Sequence, residues 1–102
     1  MYIYDIDLTR EIIICKGKGM ETDKLFLYFD KIIYEYTKRF NYSYDDSYDY
    51  RIDCLLFLIK NYKKFDDKRY KKSFPYITEI IKRYYFNKNI KKNISFDVLY
   101  NI

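Results

Sequence analysis

The residues with the most chemical content are aromatic and cationic, and they are crowded together. Tyr76, Tyr84, Tyr85 and Phe86 mix with Lys82, Arg83 and Lys88, shortly after the basic run Lys68, Arg69, Lys71 and Lys72. Aromatic faces stack on unpaired bases while cations track phosphates, so the mixture suits single-stranded DNA, at roughly 1–3 kcal/mol per stacked base. The basic run would add salt-sensitive phosphate contacts that carry little sequence information. Each part also has a plainer reading: tyrosines at helical spacing commonly fill a core, and lysines commonly solvate a loop. The expectation is that Tyr76 and Tyr85 are exposed and Tyr84 is buried.

A second constellation lies upstream. Asp49 and Asp53 are four apart, on one helical face with Ile52, Leu56 and Ile59. Apolar anchors supply contact area and acids steer toward a basic partner, so this face suits protein binding. The alternative is a solvated acidic edge beside a core face.

Catalysis is not expected. The chain has no histidine, which removes the commonest general base and the commonest zinc ligand. No nucleophile–base pair, phosphate loop or ligand cluster is visible. With Cys15 and Cys54 as the only thiols, a metal site would need carboxylates, so neither metal nor cofactor is expected. The two cysteines read as small apolar core residues in a reducing compartment.

These groups must be positioned by helices. The chain has 102 residues, a single-domain length, and its 31 Ile, Leu, Val and Phe residues are ample for a core. No apolar run approaches a membrane span, and no export signal is visible at the N-terminus. The abundance of Lys, Asn, Ile and Tyr without Ala is the bias of an AT-rich gene, so charge placement says more than the total of +5. Residues 60–92 hold twelve Lys/Arg against three acids, whereas residues 1–59 hold eight against eleven. One end is built for phosphate.

Taken in order, Tyr2 to Asp7 is extended or an arm. Thr9 caps a short helix through Ile14, with Glu11 in its first turn. The β-branched run Ile12-Ile13-Ile14 equally suits a strand, and helix is the expectation. Gly17 and Gly19 end it. Thr22 or Asp23 opens a helix with its stripe at Leu25, Phe29, Ile32, Ile33, Tyr36 and Phe40. Ser47 caps the next, where Phe57 and Leu58 widen the apolar surface beyond a stripe. Phe65 to Lys72 is a charged loop. Ser73 caps the last helix, with Pro75 in its first turn and Ile77, Ile80, Ile81 and Tyr84 as its buried face. The expected fold is all-α: a small bundle of three main helices, about 23–41, 47–64 and 74–92, with a short N-terminal helix and a C-terminal tail.

Several segments together resemble region 2 of sigma factors, the late sigma factors of T-even-type bacteriophages in particular. Asp49, Asp53, Leu58 and Lys60, then Phe65-Asp66, then Tyr76 and Thr78 follow the region 2 pattern in order. Lys38-Arg39-Phe40-Asn41, Tyr70-Lys71 and Tyr76-Ile77-Thr78 look like segments of the phage proteins. The tail Ser95-Phe96-Asp97-Val98-Leu99-Tyr100 is similar to their sliding-clamp epitope, which would use Phe96, Asp97, Leu99 and Tyr100. Glu79 and Ile80 stand where bacterial members carry adjacent tryptophans.

The resemblance implies a compact sigma factor in the cytoplasm of a bacterial host: residues 1–92 as the helical domain, 93–102 as a partner-binding tail. Asp49, Ile52, Asp53, Leu56 and Ile59 would dock on the clamp helices of the large subunit of core RNA polymerase. Lys68, Arg69, Lys71, Lys72, Tyr76, Lys82, Arg83, Tyr85 and Lys88 would bind and open an AT-rich promoter element. The tail would engage a DNA sliding clamp; no membrane partner is implied. The alternatives are a polymerase-binding inhibitor or co-regulator that does not melt DNA, and a basic helical structural phage protein.

Overall fold

Apolar residues at three- and four-residue steps lay out the elements. A computed structural model describes residues 3–38 and 44–91, and within the second stretch the side chains of residues 47–87. The helices are α1 (Asp5–Lys18), α2 (Asp23–Thr37), α3 (Tyr44–Asn61) and α4 (Phe74–Lys91), with a 3-10 turn at Tyr62–Lys64 continuing α3. No strand occurs among the described residues, and the chain is all-α as expected. α3 packs against both α2 and α4, while α1 closes the bundle across α2, α4 and the 3-10 turn.

α1 is longer than its local signals imply. It starts at Asp5, places Leu8, Ile12 and Cys15 in the core, and leaves Ile13 and Ile14 facing outward. Burial of one helical face thus overrides the strand preference of the isoleucine run. Thr9 lies inside the helix and does not cap it; the N-cap is Tyr4, which makes no side-chain capping bond. Gly17 stays helical, and only Gly19 takes a left-handed conformation, φ 73°, with its N–H donating to the Cys15 carbonyl at 2.9 Å. That is the usual way a glycine stops a helix.

α2 opens where expected, with Thr22 Oγ1 accepting from the Leu25 amide at 3.2 Å. Leu25, Phe29, Ile32 and Ile33 are buried; Phe40, the expected end of this stripe, lies outside the described residues. α3 begins at Tyr44, so Ser47 lies within it and is not its cap. Tyr50, Cys54 and Leu58 point inward, followed by Tyr62, whose ring meets Phe29 edge-on at 5.8 Å. Leu58 is wholly buried, a position where truncation to alanine costs ~2–5 kcal/mol.

The start of α4 is capped from another helix. Ser73 is at the expected position, its carbonyl accepting from the Ile77 amide at 3.0 Å, and Pro75 sits in the first turn. Its hydroxyl, however, pairs with Thr9 Oγ1 at 2.7 Å. The free amides of Ser73 and Phe74 donate instead to Asp5 Oδ1 of α1, at 3.0 and 3.1 Å. A carboxylate there satisfies orphan donors and opposes the positive end of the helix dipole. Replacing Asp5 by alanine is expected to lower unfolding free energy by ~1–2 kcal/mol in a urea titration. Asp7→Ala, which breaks only the exposed 3.9 Å pair with Arg10, should stay within ~0.5 kcal/mol. Equal effects from the two would show that the cross-helix cap contributes nothing special.

Candidate functional site

The outward face of α3 is exposed. Asp49, Ile52, Asp53 and Leu56 are exposed, Ile52 at 43% and Leu56 at 54%, while Ile59 is half-buried against the core. The five predicted residues therefore divide into four on the surface and one that packs inward.

The exposed apolar strip continues onto α2. Phe26 and Leu27 join Tyr48, Ile52 and Leu55 around an open groove of about 620 Å³. Asp23 and Asp30 edge it, and Arg51 crosses it, its guanidinium donating to Asp30 Oδ1 at 3.0 Å and lying 5.2 Å from the Tyr34 ring centroid. Sequence reasoning missed the α2 contribution. Its signal was present: Phe26 and Leu27 are apolar yet fall off the Leu25–Phe29–Ile32–Ile33 stripe.

Asp53 has a second commitment. Its Oδ2 accepts from the Tyr84 hydroxyl at 2.5 Å, tying α3 to α4. Burial, reinforced by this carboxylate, pushes the Tyr84 phenol well above its ordinary range. Tyr84 is buried, as expected.

Tyr85 corrects the sequence-based assignment. It is 1% exposed, with its ring 5.1 Å from Tyr84 and 6.4 Å from Tyr50, so it is a core residue and cannot stack on a base. The reason is helical spacing: Tyr85 lies four residues beyond Ile81 and eight beyond Ile77, on the same wide apolar face. Tyr76 is half-buried, its ring 5.6 Å from Phe65 and its hydroxyl donating to the Asn61 carbonyl at 3.3 Å. Lys82 and Arg83 are exposed, Arg83 facing Glu79 at 3.5 Å. The Lys88 side chain lies outside the described residues, as do Phe96, Asp97, Leu99 and Tyr100.

The basic loop is built rather than loose. Phe65 is buried, and Asp66 Oδ1 accepts from the amides of Lys68 and Arg69 at 3.1 and 3.3 Å. Lys16 of α1 donates from Nζ to the Phe65 carbonyl and to Asp67 Oδ1, both at 2.7 Å. Lys68, Arg69, Lys71 and Lys72 stand exposed beyond these ties, with Tyr70 among them at 53% exposure. Tyr70 was not assigned a role from sequence, although an aromatic set within four cations was legible. Both cysteines are buried and free, and burial pushes the Cys54 thiol far above its ordinary range. Among the described residues no three ligating side chains converge as a metal site, and no helix is long and apolar enough to cross a membrane.

No family model, curated protein or solved structure matches this chain.

The Lys16 tie can be tested on the loop it holds. The Lys16 ammonium draws the Asp67 carboxyl below its usual range. A depressed carboxylate supports the fold above its unfolded value and loses that support as pH falls through the lowered one. At neutral pH the tie is intact, and Lys16→Met should accelerate tryptic cleavage after Lys68 and Arg69 several-fold. An unchanged cleavage rate would mean that the loop is held without Lys16.

Proposed function

We propose that this chain is a non-catalytic binding protein of the transcription apparatus, of the sigma region 2 type, which docks on core RNA polymerase through the outward face of α3. One observation carries the proposal: Ile52 and Leu56 stay exposed on a folded bundle, continuous with Phe26 and Leu27 and edged by Asp23, Asp49 and Asp53. Contiguous apolar surface with a charged border marks interaction sites, and the acids select a partner with a basic face. The resemblance of Asp49, Asp53, Phe65-Asp66, Tyr76 and Thr78, in that order, to sigma region 2 supports the clamp helices of the polymerase large subunit as that partner.

DNA phosphates would be met by Lys68, Arg69, Lys71 and Lys72, whose exposure on the loop before α4 supports that role. Promoter recognition and strand opening by Tyr76 and Tyr85 lose support, because Tyr85 is in the core and Tyr76 rests on Phe65. That specific observation favours the variant in which the protein occupies polymerase as a regulator without capturing bases on α4. Engagement of a sliding clamp through Phe96, Asp97, Leu99 and Tyr100 rests on sequence resemblance alone.

The test is retention of bacterial core polymerase by the immobilised full chain, compared with Asp49→Lys/Leu56→Asp. Both positions are exposed, so folding should be unaffected, as circular dichroism and thermal unfolding would verify. Loss of anchors at the centre of an interface costs at least ~2 kcal/mol, so binding should weaken about thirtyfold. Polymerase retained equally by the variant, or not retained by the parent chain, would end this proposal.

A further inference from the structure

We propose that the segment following α4, residues 92–102, covers the apolar strip on α2 and α3, so that the chain occupies its own docking surface until a partner displaces it. Phe26, Leu27, Tyr48 and Ile52 line one groove and stay exposed, with Leu56 one turn beyond Ile52. Apolar surface gathered in this way marks a place that something covers. The segment supplies matching anchors. Ile94, Phe96, Val98, Leu99, Tyr100 and Ile102 are large and apolar, with Lys92 its one base and Asp97 its one acid. Each of the two surfaces is unfavourable in water, and burying one on the other recovers ~25 cal/mol per Å² of apolar area. Occupancy of the strip follows from its exposure, whichever partner it serves.

The fold delivers the segment to the strip. α4 runs against α3 in the opposite direction: Tyr76 bonds to Asn61 at the end of α3, whereas Tyr84 bonds to Asp53 and Tyr85 meets Tyr50 nearer its start. The chain therefore leaves α4 beside the half of α3 that carries Tyr48, Asp49, Ile52 and Leu56. From there the strip lies across one helix, a width of ~10 Å. Eleven residues can span up to ~36 Å, so length is ample. The charges match in the order in which they meet. Asp49 and Asp53 edge the strip on the side of α4, where Lys92 emerges. Asp97, set between Phe96 and Val98, has its counterpart in Arg51, which crosses the groove. That guanidinium bonds Asp30 through one terminal nitrogen, while its Nε is buried with no hydrogen-bond partner among the described residues. A carboxylate there adds a charge-assisted bond to a donor that lacks one. A second copy fits less well: face to face, the strips would oppose Asp23, Asp30 and Asp49 with the same acids. Tethering also places the segment at an effective concentration of roughly millimolar order, so a weak contact suffices.

Disulfide trapping in the full chain tests this. One variant carries Tyr48→Cys with Asn101→Cys, and a control carries Arg83→Cys with Asn101→Cys. Tyr48 and Arg83 are both exposed, and Arg83 lies on α4 itself, within easier reach of a segment that has no preferred seat. The native Cys15 and Cys54 are buried and stay inert. Dilute protein is exposed to oxidised glutathione, and closure of the monomer is followed by mass spectrometry. No polymerase is present, so the outcome stands apart from the docking proposal. The Tyr48 pair should close at least about tenfold faster than the Arg83 pair. Adding Leu56→Asp on the strip, or Phe96→Ser with Leu99→Ser on the segment, should bring its rate down to that of the control. Leu56 is exposed and the segment follows the packed helices, so circular dichroism should show the same helical bundle in each variant. Equal rates for the two pairs, a Tyr48 rate indifferent to both sets of substitutions, or linkage between chains in place of closure within one would overturn the assignment.

Discussion

Two oppositely charged residues of one helix fix the segment on which the rest of the arrangement turns. Asp5 and Lys16, eleven positions apart on α1, hold the two ends of the connection from α3 to α4. At ~1.5 Å of rise per residue they act about 16 Å apart. Lys16 secures the end at Phe65 and Asp67; Asp5 and Thr9 secure the end at Ser73. The exposed stretch between these anchors is short, and it delivers α4 in a defined place. From there Ile77, Ile81, Tyr84 and Tyr85 meet the inward side of α3. Glu11 adds a parallel tie by accepting from the Thr22 hydroxyl at 2.5 Å, so α1 also reaches the start of α2.

The same framework separates two surfaces of opposite character. The groove between α2 and α3 is apolar with acids at its edge, and the connection before α4 is cationic with one exposed ring. Asp53, though exposed on the acidic side, also ties α3 to α4, since its carboxylate accepts from the Tyr84 hydroxyl. A substitution there would disturb α4 as well as any partner. By contrast, the Lys31–Glu35–Lys38 group on α2 lies at the surface; its two ammonium groups hold the Glu35 carboxyl down at about 2. Pairs so exposed contribute little to stability. Burial of the inward faces of α1, α2, α3 and α4 is what keeps the bundle together.

The sequence carried the period of each helix and most of the core. Leu25, Phe29, Ile32 and Ile33 lie where their spacing put them, as do Ile77, Ile81 and the Thr22 cap. Boundaries were harder. α1 starts four residues before Thr9, because its first-turn acid is engaged by Ser73 and Phe74, some seventy positions away, and no local signal encodes that. Ser73 likewise sits at the right place while its hydroxyl bonds to Thr9. The site was legible in part. Asp49, Ile52 and Leu56 face outward as their spacing implies, whereas Tyr85 follows Ile77 and Ile81 at four-residue steps on a buried face wider than the Ile77–Ile80–Ile81–Tyr84 stripe. Phe26, Leu27 and Tyr70 were legible as misfits, apolar residues off a stripe and an aromatic among cations; the structure places the first two on the groove and the third on the connection before α4.

The buried phenols have a consequence for the conditions under which the chain stays folded. Tyr62, like Tyr84, is buried with its hydroxyl donating to a carboxylate, Glu21 Oε2 at 3.0 Å, and burial raises its ionisation well beyond the ordinary value. Such a group favours the folded state below the unfolded phenol's range, and that advantage drains away as alkali ionises the unfolded chain. In a protein with fifteen tyrosines and no tryptophan, alkaline titration followed by phenolate absorbance should then proceed in two waves. Surface rings ionise first, and the interior ones follow only as the bundle comes apart.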